Sequence, residues 1–145
     1  MKQKFIDYYM SVAELTSKLS YARRLQVGAV IVKGNKILGT GYNGMPSGWD
    51  NNCEDEIKWP NGEIRFLTTK PEVLHAETNA IAKVSSSTES SEGSTLFCTH
   101  APCIDCAKLI YQSGVNSVYY RNQYRDDSGI EFLKRSGVNV TQYET

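Results

Sequence analysis

Two short stretches set the tightest limit on how this chain can fold: His75-Ala76-Glu77 and, further on, Pro102-Cys103-Ile104-Asp105-Cys106. The second has C-x-x-C spacing at the start of a helix, close enough for both sulfurs to reach one ion. A helix N-terminus favours negative charge, so it lowers a thiol pKa and stabilises the thiolate. The chain has only 2 histidines to complete a ligand set. His100 lies just before Cys103, whereas His75 brings the carboxylate of Glu77 with it. His75, Cys103 and Cys106 together make a Cys₂His zinc site with one position open for water. Glu77 is then the group that takes the water's proton and passes it on. Residues at i and i+2 do not share a helix face. The pair can act on one point only if the helix begins at His75, where the backbone is not yet helical. Any fold that uses both stretches must bring two helix starts together.

Each stretch alone has a plainer reading. An isolated C-x-x-C is often a redox pair or half of a structural zinc site, and a fourth protein ligand could come from Cys53, Cys98 or His100. Cys98 lies inside an expected strand and reads as a small buried apolar residue; Cys53, in a long loop, is the stronger rival. Combined, H-x-E followed across a helix–strand unit by P-C-x-x-C is far more specific. It is the signature of zinc nucleobase deaminases, in which water attacks C4 of cytosine or C6 of adenine and the glutamate carries the proton to the ring nitrogen and the departing ammonia.

The remaining sequence fits one domain spanning 1–145. With 145 residues, 40% apolar content and 4 prolines, the chain can bury a real core. A first helix is expected over 4–19 and a hairpin from strands 27–32 and 36–40 around Lys33-Gly34-Asn35. Residues 44–72 show little periodicity and read as a long loop excursion. Helices are then expected at 75–85, 103–113 and 127–137, with strands at 95–100, 116–121 and 138–143. The order α-β-β-α-β-α-β-α-β predicts an α/β domain, a mixed sheet with helices on both faces.

Charge narrows the function. The 16 basic and 16 acidic residues cancel, which argues against a polynucleotide partner. The clusters at 21–24 and 119–125 suit a small anion better. No run of about 18 apolar residues exists, so no transmembrane helix is expected. The start lacks a signal-peptide core, which makes cytoplasmic the default.

On "QVGAVIV" (26–32), "GTGYNGMPSG" (39–48), "HAETNAI" (75–81), "APCIDCAKLIYQSGV" (101–115) and "VYYRNQYRDDSGIEFLKRSGV" (118–138), the chain resembles the deoxycytidylate (dCMP) deaminase family. The resemblance implies a three-layer α-β-α cytidine-deaminase-like fold with a five-stranded mixed sheet. It matches His75, Cys103 and Cys106 to the zinc ligands and Glu77 to the proton shuttle. Substrate-facing positions carried over are Val27, Asn43 (deoxyribose), Ala76, Ala101 (its carbonyl accepting from the exocyclic amine) and Tyr120 (the aromatic wall of the base pocket). Arg121 and Tyr124 are our own inference for the 5′-phosphate. The family is typically hexameric, activated by dCTP and inhibited by dTTP with Mg²⁺; Arg23, Arg24, Asn43 and Gly44 are the residues here that could serve that effector site. Ala101 departs from the usual serine or threonine, at little cost to a backbone contact. Cys53 stands where some members hold a second zinc, but no cysteine stands near position 21 to join it, so a second zinc is not expected.

The leading expectation is hydrolysis of dCMP to dUMP and ammonia, supplying dUMP for thymidylate synthesis. Deamination of free cytidine or deoxycytidine is the alternative, separated by the phosphate-gripping cations. A nucleic-acid base editor fits less well because the chain lacks a basic, aromatic groove. A non-catalytic zinc-binding domain would not need Glu77.

Overall fold

The structure is a computed structural model that describes residues 1–144. β1 (Gly28–Lys33) is buried along all but its last residue, as expected of a strand covered on both faces. Val30 and Val32 pack with α1 (Gln3–Ser17), whose Ile6, Tyr9, Met10 and Ala13 recur at helical spacing. Ala29 and Ile31 point the other way, into a core shared with α2 (Ala76–Ser85) and α3 (Ile104–Gln112). At Gly34-Asn35, both at positive φ, the chain reverses into β2 (Lys36–Tyr42), the backbone that a two-residue hairpin requires.

β5 (Thr95–His100) pairs antiparallel with the other edge of β1. β6 (Ser117–Asn122) and β7 (Asn139–Gln142) then add in parallel, crossing through α3 and α4 (Ser128–Arg135). The sheet order is β2-β1-β5-β6-β7. With α1 on one face and α2, α3 and α4 on the other, this is the expected three-layer α-β-α fold with a five-stranded mixed sheet.

The stretch 44–72 departs from expectation. It is not simply loop: β3 (Glu54–Lys58) and β4 (Ile64–Thr69) form a separate antiparallel pair. Both strands are largely exposed, so they carry no apolar–polar alternation, and Glu-Asp-Glu has low strand preference. The local signal for the turn is Asn61-Gly62, with Gly62 at φ 91°. A lone two-stranded hairpin is marginal in water. This one is anchored at its base, where Cys53 and Glu54 are buried and the Lys70 N–H donates to the Cys53 carbonyl at 2.8 Å.

Two glycines set where helices begin. Gly41 on β2 lies under α2, and a Cβ there would sit 2.5 Å from Ala80 N. Gly129, in the first turn of α4, lies against the start of α3; its Cβ would sit 2.8 Å from the carbonyl carbon of Cys103. Backbone contacts this close leave no room for a side chain.

Candidate active site

His75 is the N-cap of α2, with extended backbone at φ −80° and ψ 154°. Cys103 is the N-cap of α3, also extended, at φ −71° and ψ 169°. Glu77 and Cys106 lie in the first turns that follow, so the i, i+2 pair converges because it straddles a helix boundary. His75 Nδ1 lies 3.2 Å from Cys106 Sγ and 3.6 Å from Cys103 Sγ. All three ligand atoms lie within 4.8 Å of one another, and this is the one such group among the described residues. Zinc bonds of about 2.0–2.3 Å in a tetrahedron put neighbouring ligand atoms roughly 3.5 Å apart. One nitrogen and two sulfurs at these separations fit Zn²⁺. The rivals for a fourth ligand are not part of this group: Cys98 is fully buried in the sheet, His100 Nδ1 meets Thr99 Oγ1 at 2.9 Å, and Cys53 Sγ faces the Asn51 carbonyl at 3.5 Å.

The donor set is also electrostatically prepared. The Cys106 thiol and His75 both hydrogen-bond Cys103, which holds its thiol at about 4. The same contact pushes Cys106 up and, through Cys103, raises His75. Of the two sulfurs, Cys103 is the one favoured as thiolate, and a dication is the partner that lets both sulfurs ionise. Burial raises the carboxyl of Glu77 above the ordinary glutamate value, with the Cys106 thiol and His75 working against the shift.

His75 and Cys103 of the cluster lie at the floor of a cleft of about 400 Å³, and Cys106 is buried. Glu77, Ala76, Val27, Asn43 and Ala101 all line it, together with Tyr124. Asn43 does so while holding the α1–β1 connection: its Oδ1 accepts from Val27 N–H and its Nδ2 donates to the Leu25 carbonyl, both at 2.8 Å. The Ala101 N–H donates to the Asn122 carbonyl at 2.8 Å, fixing the peptide that precedes Pro102.

Other expected residues lie elsewhere. Arg121 is not among the lining residues; it meets Glu14 at 3.5 Å and lies over Tyr143, on the α1 side of the sheet. Strand alternation is the reason, because Arg121 shares a face with Tyr119. Tyr120 points to the opposite face, is buried in the α2–α3 core and does not line the cleft. Arg23 is bound to the hairpin, to Glu56 Oε1 at 3.2 Å and Asn52 Oδ1 at 3.3 Å. Arg24 instead lines the same cleft as Glu77. Gly44 pairs with Leu74 beside a second cavity, also of about 400 Å³, which Lys83 and Tyr21 line as well.

Arg125, not among the residues expected from the sequence, also lines the cleft, and so does His100, expected only as a rival metal ligand. Both follow or end strands at the C-terminal edge of β5 and β6. Ligands in α/β sheets gather outside the carboxyl ends of parallel strands, and that rule would have favoured Arg125 over Arg121.

A cluster of metal-ligand side chains at two helix starts beside a buried glutamate fits a zinc-deaminase type of site, and comparison with known proteins narrows the class. The family model of the cytidine and deoxycytidylate deaminase zinc-binding region matches residues 3–122. The chain is 41% identical to human deoxycytidylate deaminase over 125 residues, covering 84% of this chain and 67% of that protein. It is 35% identical to ComE operon protein 2 of Bacillus subtilis over 139 residues, covering 95% and 70%. The crystal structure of dCMP deaminase from the cyanophage S-TIM5, in complex with dCMP and dUMP, superposes with a TM-score of 0.87 at 47% identity and covers 99% of both chains. The chain belongs to the cytidine and deoxycytidylate deaminase family.

Proposed function

We propose that the protein is a dCMP deaminase, hydrolysing dCMP to dUMP and ammonia with a zinc ion held by His75, Cys103 and Cys106. The observation that carries this is one cleft with a metal-ligand cluster and Glu77 at its floor and two arginines, Arg24 and Arg125, in its lining. The names of human deoxycytidylate deaminase and of the cyanophage dCMP deaminase support the same substrate.

Zinc supplies Lewis-acid activation of the attacking water. The chain's own residues do the rest. Glu77 takes the water's first proton on a carboxylate oxygen and delivers it to N3 of the cytosine, then takes the remaining proton from the hydroxyl now on C4 and delivers it to N4 as the C4–N4 bond breaks and ammonia leaves. Its burial suits a group that must be protonated and deprotonated in turn. Val27, Ala76 and Ala101 shape the slot for the base, and Asn43 holds the loop that meets the sugar. Arg24 and Arg125, with the Tyr124 hydroxyl, grip the 5′-phosphate by charge-assisted hydrogen bonds. This replaces Arg121 in that role. Tyr120 supports the floor from the core.

Regulation belongs to the same proposal: dCTP activates and dTTP inhibits, each with Mg²⁺, at the second cavity beside Gly44. Lys83 is the cation that lines it, while Arg23 and Arg24 are engaged at the hairpin and the first cleft. The working form is a cytoplasmic homohexamer whose dUMP feeds thymidylate synthesis. The four unpaired cysteines are in keeping with a reducing compartment. No helix among the described residues is long and apolar enough to cross a membrane.

The test is ammonia release by the zinc-loaded protein from dCMP, deoxycytidine, CMP and a cytosine-bearing oligonucleotide, with and without each triphosphate. A strong preference for dCMP is expected. Equal turnover of deoxycytidine would overturn the monophosphate reading. Preference for the oligonucleotide would favour a base editor, and indifference to both triphosphates would remove the regulatory part alone.

A further inference from the structure

The α1–β1 connection contributes Ala22, Arg24, Leu25 and Val27 to the cleft but forms no helix or strand of its own over residues 18–27. Two bonds within it, from Gln26 Nε2 to the Ser20 carbonyl and from the Ala22 N–H to Ser20 Oγ, are joined by holds from outside. Asn43 holds one end, through Leu25 and Val27. The other end is held by Glu54, the first residue of β3, which is only 1% exposed. One of its oxygens, Oε2, accepts the backbone N–H of both Arg23, at 2.9 Å, and Arg24, at 3.0 Å. Two successive N–H groups on one carboxylate oxygen fix the peptide between them, as in an anion nest. The second oxygen, Oε1, has no hydrogen-bond partner and has Arg23 Nε at 3.5 Å. A buried carboxylate must be met by donors, and here the donors are the backbone of the segment that carries Arg24.

The hairpin grips Arg24 a second time. Its guanidinium donates from Nη1 to Thr69 Oγ1 at 3.0 Å. Thr69 is the register partner of Glu54 across β3 and β4. One rung of the hairpin therefore holds the residue at both its backbone and its side-chain tip, and the hairpin acquires a role that its exposed strands do not otherwise explain. A long exposed arginine normally loses much of its contact energy to rotamer entropy; fixing it at two points removes that loss before substrate arrives.

We propose that Glu54 is a positioning residue for substrate selection: with Thr69 it presents the Arg24 guanidinium to the 5′-phosphate and so sets the preference for nucleotide over nucleoside. The proposal rests on the reading of this cleft as a dCMP site. It goes beyond that reading by placing the determinant of selectivity on a buried carboxylate outside the catalytic cluster.

The experiment is a steady-state comparison of dCMP with deoxycytidine for zinc-loaded wild type, Glu54→Ala, Glu54→Gln, Thr69→Val and Arg24→Gln. Misplacing a positioned group by about 1 Å costs on the order of 100-fold, so Glu54→Ala should lower kcat/KM for dCMP by about 10- to 100-fold, chiefly through KM. The loss on dCMP should exceed the loss on deoxycytidine at least about tenfold. Glu54→Gln keeps an acceptor oxygen for the two N–H groups and should recover most of the selectivity. Adding Glu54→Ala to Arg24→Gln should cost little more than Arg24→Gln alone, because both act through one guanidinium. A parallel loss on both substrates, with Glu54→Gln no better than Glu54→Ala, would show a merely structural role and overturn the proposal. If Glu54→Ala fails to fold, Thr69→Val removes only the outer anchor and should still shift selectivity against dCMP; unchanged selectivity in that variant would overturn it as well. A wild type with no preference for dCMP would instead sink the underlying reading of the cleft, an outcome visible before any variant is made.

Discussion

The floor and the rim of the cleft are held by different forces. At the floor, His75 and Cys103 are N-caps, and their helices press backbone to backbone against neighbouring elements at Gly41 and Gly129. Ala76, Ala80 and Ala107, all fully buried, let the sheet and helices approach closely. At the rim, Arg24, Tyr124 and Arg125 are exposed side chains on loops, and the Arg24 guanidinium is steadied by a hydrogen bond to exposed Thr69 of a hairpin with almost no core. Packing fixes the floor to a fraction of an ångström, as metal ligands require. Hydrogen bonds to exposed partners fix the rim less firmly, and they can be changed without disturbing the floor. Chemistry and substrate choice are thereby separable in this fold.

The largest effect expected is at the floor. Glu77→Gln preserves shape and packing but cannot cycle a proton, so turnover should fall by about 10⁴-fold, the upper end for general acid–base catalysis. Zinc content, measured by metal analysis after gel filtration, should stay at the wild-type level. Loss of the metal in this variant would make Glu77 a ligand or support and would remove its role as proton carrier.

Next comes the contact that holds the floor in place. Gly129→Val puts a branched side chain where the Pro102–Cys103 peptide lies, so the Cys103 sulfur must shift. Disturbing the support of a metal ligand typically weakens affinity by about 10- to 100-fold, and chelator competition should show that loss. Arg24→Gln should leave zinc affinity untouched. If the rim variant also lost metal, floor and rim would be one cooperative unit and the separation above would be wrong.

Those two regions also differ in how plainly the sequence declares them. The floor is legible because its constraints are local: His75 and Glu77 are neighbours in the chain, Cys103 and Cys106 are neighbours in the chain, and an N-cap position explains both pairs. The sheet is legible because β1 and β5 are apolar runs between clear turns, and Gly114 ends α3 at φ 90°. The rim depends on long-range placement. Arg121 and Arg125 belong to one basic cluster, and only the alternation of β6 sends Arg121 to the α1 face while the chain beyond Asn122 carries Arg125 to the cleft. Glu54 carries no local mark at all. Its neighbours are charged, its strand is exposed, and its partners at Arg23 and Arg24 lie across the whole of the β1–β2 hairpin. The β3–β4 pair escaped a pattern-based reading for the same reason, since strands without a buried face show no period of two.

The smallest effect expected separates the regions by salt. The rim cations are exposed, and the Debye length shrinks from about 10 Å at 0.1 M to about 3 Å at 1 M ionic strength. A phosphate approaching Arg24 and Arg125 therefore loses attraction as salt rises, and kcat/KM for dCMP should fall by about threefold between 0.05 and 0.5 M salt. The floor meets an uncharged base, its ligands are short-range and partly buried, and deoxycytidine turnover should change much less over the same range. In Arg24→Gln the salt slope for dCMP should flatten, because one of the two cations is gone. A parallel decline for both substrates would mean that salt acts on the structure of the cleft as a whole. A slope unchanged in Arg24→Gln would place the phosphate on Arg125 alone and leave the Glu54–Thr69 rung without its purpose.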